Sequence, residues 1–312
     1  MSKPSPMRIG ARSSNLSLRQ TAEVGDRLRA AWPDLEVAVE VIATSGDRAL
    51  ETPLPLLGGK GAFTEELEIA LLDGRIDLAV HSLKDLPTRQ PRGLVVGAVP
   101  ARASVADVLI SRSGAGLADL PPGATIGTSS PRRSAQLLHA RPDLRLLSIR
   151  GNVDTRLRKA LDPGGDYDAI VLARAGLERL DRLDAITEEL PPTVMLPAPG
   201  QGALAVQCRD KSALKALLAP IHHTASALAT IAERAFLAGL GGGCSAPIAA
   251  YGRFDNGEFH LDGRVSTPDG RSQIDVQWTG PCPDEPAATD AGLALARKAS
   301  EEGAGALLDA NP

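Results

Sequence analysis

The first hundred residues alternate between short apolar runs and longer segments in which apolar residues recur at helical spacing. Strands are predicted at 8–9, 36–43, 76–80 and 94–99, and helices from residue 15 and over 63–73. Strands that alternate with helices predict a mostly parallel sheet with helices on both faces.

The same alternation returns after residue 124. Strands are predicted at 125–127, 144–149 and 169–173, and helices at 131–140 and 153–161. The segments 101–107 and 190–199 are expected to cross between the two α/β regions, and 203–207 to return to the first region as a strand. Two lobes joined by two crossovers indicate a hinged pair with a cleft, which is a favoured place for ligands.

The last third has a different pattern. A helix is predicted at 224–240, then strands at 248–254, 258–266 and 273–278, then a helix at 285–308. Strands in succession with flanking helices indicate a small α+β domain. A chain of 312 residues is long enough for two or three domains. The predicted domains are a first α/β lobe (1–100 with 201–218), a second α/β lobe (105–195) and a C-terminal α+β domain (222–312).

The charges balance to a formal net charge of −4, which excludes the broad basic surface that nonspecific nucleic-acid binding requires. No apolar run is long enough for a signal peptide or a membrane span. We therefore expect a cytoplasmic protein with no nucleic-acid or membrane partner. The three cysteines, Cys208, Cys244 and Cys282, are too few and too scattered for a disulfide scaffold or a zinc knuckle, and no metal site is predicted.

Arginines follow several predicted strands. In GTSSPRR, Ser130 is a candidate N-cap and Pro131 a first helical residue, so the helix start and the two arginines after it would attract anions. Further arginines follow other strands, at Arg12, Arg150 and Arg156. Because carboxyl ends of parallel strands share one edge, these positions together predict a site for a polycarboxylate. For each motif alone, a capped helix with solvated arginines remains the alternative.

The segment HSLKDLP places Ser82, Lys84 and Asp85 after another apolar strand. A carboxylate among cations stays ionised, and it could stabilise a cationic intermediate or handle a proton. The alternative for this segment alone is a turn capped by a lysine–aspartate pair.

Two glycine-rich segments suggest different roles. The run Gly58–Gly61, which contains Lys60, lacks the GxxxxGK[ST] spacing of a phosphate loop and is interpreted as a lid before a helix. Three glycines precede Cys244, and they would give access to its thiol. A small buried apolar cysteine is the alternative. Since no His-Asn partner motif is evident, a permanent attachment point is favoured over a nucleophile that turns over.

Taken in order, these segments resemble the porphobilinogen deaminase family over nearly the whole chain. The motifs that carry the resemblance are RIGAR, LSLRQ, GGKGAFTEELE, DLAVHSLKDLP, GTSSPRR, IRGNVDTRL, AGLERL, LPAPGQGALAVQCR and GGGCSAPIAAY. The resemblance implies two lobes like type II periplasmic binding proteins and a third domain that carries the cofactor. That cofactor would be a dipyrromethane, built by the enzyme from its own substrate and bound by a thioether to Cys244.

The implied reaction joins four porphobilinogen units head to tail on this primer, with loss of ammonia, and releases hydroxymethylbilane by hydrolysis. By resemblance Asp85 is the catalytic carboxylate, and the enzyme is a monomer. The implied cofactor-binding residues, besides Cys244, are Lys84, Thr128, Ser130, Arg132 and Arg133. The implied substrate-binding residues are Arg12, Ser14, Gln20, Ser82, Arg150, Arg156 and Arg179, with Lys60 in the lid.

The chain departs from the family pattern at a few positions. Leu56 stands where some members have a lysine near the lid, Ser245 where glutamine is frequent, and Pro131 where leucine is common. Two other functions are alternatives: a noncatalytic polycarboxylate-binding protein of the type II binding fold, and a phosphate-handling transferase that uses Gly58–Gly61. The first leaves Cys244 unexplained, and the second lacks the required spacing.

Overall fold

The computed structural model describes residues 6–48, 64–243 and 246–309. The chain forms two compact units, one of Met1–Arg102 and Ala203–Ala227 and the other of Ala103–Gly202 and Leu228–Pro312. The boundaries after Arg102 and Gly202 fall at or close to the predicted crossovers, and the third, after Ala227, lies near residue 222, where the C-terminal domain was predicted to begin.

Both units are built from short strands and helices. The strands are β1 (Met7–Ala11), β2 (Val37–Val41), β3 (Leu78–Ser82), β4 (Leu94–Ala98), β5 (Asp107–Ser111), β6 (Thr125–Gly127), β7 (Arg145–Leu147), β8 (Ala169–Ala173), β9 (Glu188–Leu190), β10 (Leu204–Arg209), β11 (Ile248–Asp255), β12 (Glu258–Ser266) and β13 (Gln273–Gly280). The helices are α1 (Asn15–Ala31), α2 (Ser45–Arg48), α3 (Glu65–Leu72), α4 (Pro131–Ala140), α5 (Val153–Leu161), α6 (Arg174–Arg179), α7 (Ser212–Leu218), α8 (Thr224–Gly239), α9 (Glu285–Glu301) and α10 (Ala304–Asp309). Short 3-10 turns lie at Leu83–Asp85, Leu183–Ala185 and Ala219–Ile221.

The first unit contains a five-stranded sheet in the order β2-β1-β3-β10-β4. β1 is parallel to β2 and β3, whereas β10 is antiparallel to both of its neighbours. The prediction that 203–207 returns to the first sheet is therefore confirmed. Fully buried residues such as Ile9, Leu78 and Val206 pack on this sheet together with residues of α1.

The second unit contains a sheet in the order β7-β6-β8-β5-β9. β6 is parallel to β7 and β8, and β5 is antiparallel to β8 and β9. The expectation that 101–107 is only a crossover is wrong at its end, because Asp107 begins β5. The sequence pattern did not predict this strand because its apolar run, between Asp107 and Ser111, is only three residues long.

A three-stranded antiparallel sheet, β11-β12-β13, forms the C-terminal part of the second unit. Its core contains Phe236 from α8, Phe259 from β12 and Leu295 from α9. The single helix predicted at 285–308 is wrong, since α9 and α10 are separate. They break at Gly303, whose φ of +100° suits glycine rather than a helical residue. The α/β class with a small α+β domain is confirmed.

Among the described helices, none combines the length and the apolar character that crossing a membrane requires.

Candidate functional site

In the first unit, the predicted site residues lie at one edge of the sheet. Because β1 and β3 are parallel, with Ile9 opposite Leu78, their carboxyl ends share that edge. Arg12 follows β1, and Ser14 caps α1 through its Oγ, which accepts a hydrogen bond from the backbone N–H of Ser17 at 3.3 Å.

Gln20 and Ser82, both implied to bind substrate, are in contact. The Nε2 of Gln20, a buried residue of α1, donates to the Oγ of Ser82 at 2.8 Å. This hydrogen bond joins α1 to the last residue of β3 and orients the serine hydroxyl.

Asp85 ends the 3-10 turn that follows β3. Leu83 and Leu86, on either side of it, are each only 2% exposed and belong to an apolar cluster that includes Val99 and Ala205. The Asp85 side chain between them is exposed. Two buried leucines thus hold a solvent-facing carboxylate at the edge of the sheet, and Lys84 precedes it.

A neutral histidine lies beside this edge. Burial lowers the pKa of His81 to about 4, while its hydrogen bond to Gln207 opposes the shift and nearby Arg12 adds to it. The Nε2 of His81 is 3.0 Å from the Oε1 of Gln207. At neutral pH the imidazole therefore adds no positive charge to the strand that leads to Asp85.

In the second unit, the turn from β6 to α4 has the predicted cap. The Oγ of Ser130 accepts from the backbone N–H of Arg133 at 3.4 Å, and Pro131 is the first helical residue. Thr128 is buried, and its Oγ1 accepts from the N–H of Ser130 at 3.2 Å. The hydroxyl of Thr128 therefore stabilises the turn itself.

Arg132 and Arg133 share the carboxylate of Asp107. The Nε and Nη2 of Arg133 donate to Asp107 Oδ1 at 2.9 and 2.6 Å, and the Nη2 of Arg132 lies 2.8 Å from Oδ2. The two arginines are only 5% and 6% exposed, and Asp107 is fully buried. Asp107 reaches them because antiparallel β5 places it opposite Ala173, at the carboxyl end of β8.

Backbone carbonyls complete the fixation of the arginine pair. Arg133 Nη1 donates to the carbonyl of Val171 at 3.1 Å, and Arg132 Nη1 to that of Leu196 at 2.7 Å. Burial lowers the pKa of Arg132, Asp107 opposes that shift, and Arg133 adds to it. Within the described residues, the Nε–H of Arg132 is buried and has no hydrogen-bond acceptor. Two guanidinium groups and one carboxylate leave one positive charge in excess among these three side chains.

The other predicted arginines of this unit also follow its parallel strands. Arg150 follows β7 and is half-buried. Arg156, on α5, donates through Nε to the carbonyl of Gly151 at 2.9 Å, and Arg179, at the end of α6, donates to that of Gly202 at 3.3 Å. Since β6, β7 and β8 are parallel, the structure brings these arginines to the edge that carries Ser130.

Sequence reasoning missed the roles of Asp107 and Gln207. Each is a polar residue within an otherwise apolar, buried strand, and such a residue requires a partner. In the sequence this pattern is visible at Gln207, which ends the strand predicted at 203–207, but not at Asp107, whose strand the sequence did not predict. The predicted residues Lys60 and Cys244, and the departures at Leu56 and Ser245, lie outside the described residues.

Comparison with known families covers most of the chain. Residues 7–216 match the model of the porphobilinogen deaminase dipyromethane cofactor binding domain. Residues 227–301 match the model of the porphobilinogen deaminase C-terminal domain.

Curated relatives carry the same name. The porphobilinogen deaminase of Maridesulfovibrio salexigens is 46% identical over 302 residues, which is 96% of both chains. That of Pelotomaculum thermopropionicum is 48% identical over 301 residues, 96% of this chain and 95% of the relative.

Among solved structures, the chain is similar to a nutrient binding protein from Burkholderia cenocepacia bound to methionine. The similarity covers 69% of this chain and 91% of that protein. Its 14% identity and TM-score of 0.41 carry no inference about ligand or function.

Proposed function

The chain belongs to the porphobilinogen deaminase family, and on that premise we propose that Asp85 is the carboxylate that assists loss of ammonia from porphobilinogen. The protein is an enzyme of tetrapyrrole biosynthesis that acts on porphobilinogen and uses a dipyrromethane cofactor. A noncatalytic carboxylate-binding protein is not favoured.

The observation that supports this role is the exposed carboxylate between two buried leucines at the carboxyl edge of β3. A pyrrole N–H can donate to such a carboxylate. When the C–N bond of porphobilinogen breaks, both electrons leave with ammonia and the positive charge spreads into the pyrrole ring. The fixed negative charge of Asp85 stabilises that cation, and one such oriented group contributes about 3 kcal/mol.

The arginines have a separate task. Porphobilinogen carries an acetate and a propionate, so each added unit brings two further carboxylates. We propose that Arg12, Arg150, Arg156 and Arg179 bind these groups, since a guanidinium can donate two parallel hydrogen bonds to one carboxylate.

The residues of the second unit fit a bound dipyrromethane. When bound, this group supplies the carbon to which the first porphobilinogen unit is joined. The excess positive charge of the Arg132, Arg133 and Asp107 cluster suits a carboxylate. We propose that these arginines, with Ser130 and Lys84, hold its carboxylates and that Cys244 binds it through a thioether.

The test of Asp85 compares three variants by the rate of ammonia release. Asp85→Asn keeps the shape and removes the charge, so we expect kcat to fall by about 100- to 1000-fold. Asp85→Glu keeps the charge and should retain more activity. Asp73→Asn, the same change at an exposed residue beyond α3, should leave kcat unchanged. Wild-type kcat in Asp85→Asn would refute the proposal.

The test of Cys244 is the intact mass of the denatured chain, purified from a host that makes porphobilinogen. We expect the wild-type mass to exceed the sequence mass by one dipyrromethane, and Cys244→Ser to lose the excess. Cys282→Ser, at a buried cysteine of the C-terminal core, should keep it. An excess that survives Cys244→Ser would place the attachment elsewhere.

We propose further that the enzyme acts as a monomer in the cytoplasm, without nucleic-acid or membrane partners. The net charge of −4 and the family resemblance support this view. Sedimentation at several protein concentrations should give one species of about the chain mass of 32.4 kDa, and a concentration-dependent dimer would contradict it.

A further inference from the structure

We propose that Gln207 is a positioning residue for Asp85, because its amide binds both flanks of the turn that carries this carboxylate. The inference rests on the catalytic role proposed for Asp85. Gln207 lies on β10 and is fully buried. Its amide is hydrogen-bonded to three side chains of the first unit, those of His81, Glu68 and Gln90.

The partners of this amide show which of its atoms donates and which accepts in each hydrogen bond. The Nε2 of Gln207 donates to Gln90 Oε1 at 2.8 Å and to Glu68 Oε1 at 3.2 Å, which uses both of its hydrogens. The Oε1 of Gln207, 3.0 Å from His81 Nε2, can only accept. His81 therefore carries a proton on Nε2, and because its pKa is lowered to about 4 the ring is a neutral donor at neutral pH.

His81 is the N-terminal flank of the turn. It lies on β3 one residue before Ser82 and two before the 3-10 turn Leu83–Asp85. In the antiparallel pairing of β3 and β10, Gln207 is opposite Ala79. Since alternate residues of a strand share a face, His81 projects from the same face as Ala79 and can reach the amide diagonally.

Gln90 is the C-terminal flank. Its Oε1 accepts from Gln207, and its Nε2 donates to the carbonyl of Pro87 at 2.9 Å. The chain just after Asp85 is thus tied through Gln90 to the same amide that holds the chain just before it. Leu83 and Leu86 hold the turn through apolar packing, and the amide network supplies directional contacts that apolar packing lacks.

The third partner, Glu68, attaches the network to α3. Burial raises the pKa of Glu68, the hydrogen bond from Gln207 opposes this shift, and Glu65 adds to it. A buried amide costs free energy unless its donors and acceptor are all used, and here all three are. An apolar residue at this position would leave His81 Nε2 and Gln90 Oε1 without these hydrogen bonds and would free the turn.

The test is a double-mutant cycle between Gln207→Met and Asp85→Asn. In each variant the measured quantity is kcat for ammonia release. Misplacement of a catalytic group by about 1 Å costs about 100-fold, so we expect Gln207→Met alone to lower kcat by about 10- to 100-fold. KM should stay within about twofold, since the substrate arginines are untouched. In the Asp85→Asn background the same change should alter kcat by less than about twofold, because Gln207 acts only through Asp85.

Two further variants control for folding. Gln90→Met changes a half-buried residue and removes only the hydrogen bond from Gln207 to Gln90, while that from His81 remains. The decrease in log kcat should therefore be about half of that in Gln207→Met. Thr21→Val, a buried polar-to-apolar change on α1, should leave kcat unaltered. Amide hydrogen exchange over 83–90 should accelerate in Gln207→Met and Gln90→Met but not in Thr21→Val.

Equal losses from Gln207→Met in the wild-type and Asp85→Asn backgrounds would overturn the positioning role while leaving Asp85 catalytic. So would wild-type kcat in both Gln207→Met and Gln90→Met. Wild-type kcat in the single variant Asp85→Asn would instead refute the catalytic role of Asp85, and the positioning role with it.

Discussion

The two units place polar side chains at the carboxyl ends of their parallel strands in opposite ways. In the first unit the proposed catalytic carboxylate of Asp85 is exposed, and the groups that hold its turn are buried leucines and the neutral pair His81 and Gln207. In the second unit the proposed anion-binding groups, Arg132 and Arg133, are themselves buried and are held by the charge of Asp107.

The difference follows from what each group must do. A carboxylate that stabilises a transient cation must reach the substrate, so it is exposed while the leucines and the amide that hold its turn are buried. Arg132 and Arg133 are proposed to hold the carboxylates of a group that stays bound, so the buried Asp107 can fix their guanidinium groups. The condition is that the cluster keeps an excess of positive charge. The edge of the first unit is therefore supported by apolar packing and by hydrogen bonds to an uncharged amide, and that of the second unit by an ion-pair cluster.

The largest effect on stability is expected at the cluster of Arg132, Arg133 and Asp107 in the second unit. Asp107→Asn leaves two buried guanidinium groups without their carboxylate, which should destabilise the second unit by about 3–5 kcal/mol. The unit can be followed in chemical unfolding by the fluorescence of Trp278 in a Trp32→Phe background. Glu189→Gln, which breaks the exposed Arg174–Glu189 pair, is the control and should cost less than about 1 kcal/mol. Similar losses in both variants would show that Asp107 is not the counterion on which the arginine pair depends.

The next effect is a pH dependence of the stability of the first unit, caused by His81. In the unfolded chain His81 binds a proton near pH 6.5, but in the folded chain only near pH 4. Between these values the unfolded state holds more protons, so the first unit loses stability as the pH falls from about 6.5 towards 4. We expect a loss of about 2 kcal/mol between pH 7 and pH 5 from this residue.

This pH dependence can be measured by the fluorescence of Trp32 in a Trp278→Phe background. His81→Gln, which cannot titrate, should remove most of it. His139→Gln, at an exposed histidine of the second unit, should not. An unchanged slope in His81→Gln would mean that other groups cause the acid sensitivity.

The smallest effect concerns the helix cap beside the arginine pair. Ser130→Ala removes the hydroxyl that accepts from the N–H of Arg133, and it should cost the second unit about 1 kcal/mol. Ser130→Gly, which lets water reach the helix start, should cost only a few tenths of that amount. A larger loss in the glycine variant than in the alanine variant would contradict this account of the cap.

Much of the fold follows from local pattern. The boundaries of α4, α5 and β8 agree with those predicted, because a cap, helical periodicity and a continuous apolar run define them. β5 and its buried Asp107 could not be placed from the sequence, since the strand is short and its position depends on antiparallel pairing with the distant β8.

The candidate site was predicted to a similar extent. Strand-end position predicted where Asp85 and the arginines that follow parallel strands lie, and their roles stay predictions. It could not reveal that Arg132 and Arg133 are buried around Asp107, or that Gln207 links His81 to Gln90, because these contacts join residues far apart in the chain. A polar residue inside an apolar strand indicates that a partner exists but does not identify it.

The most direct test of the proposed roles of Asp85 and Cys244 is the time course of the denatured chain mass after porphobilinogen is added. In the wild type, and in Asp73→Asn, we expect successive increments of one pyrrole unit on the chain, all of them lost in Cys244→Ser. In Asp85→Asn the increments should appear at least about 100-fold more slowly. Increments at the wild-type rate in Asp85→Asn, or any that remain in Cys244→Ser, would contradict the account.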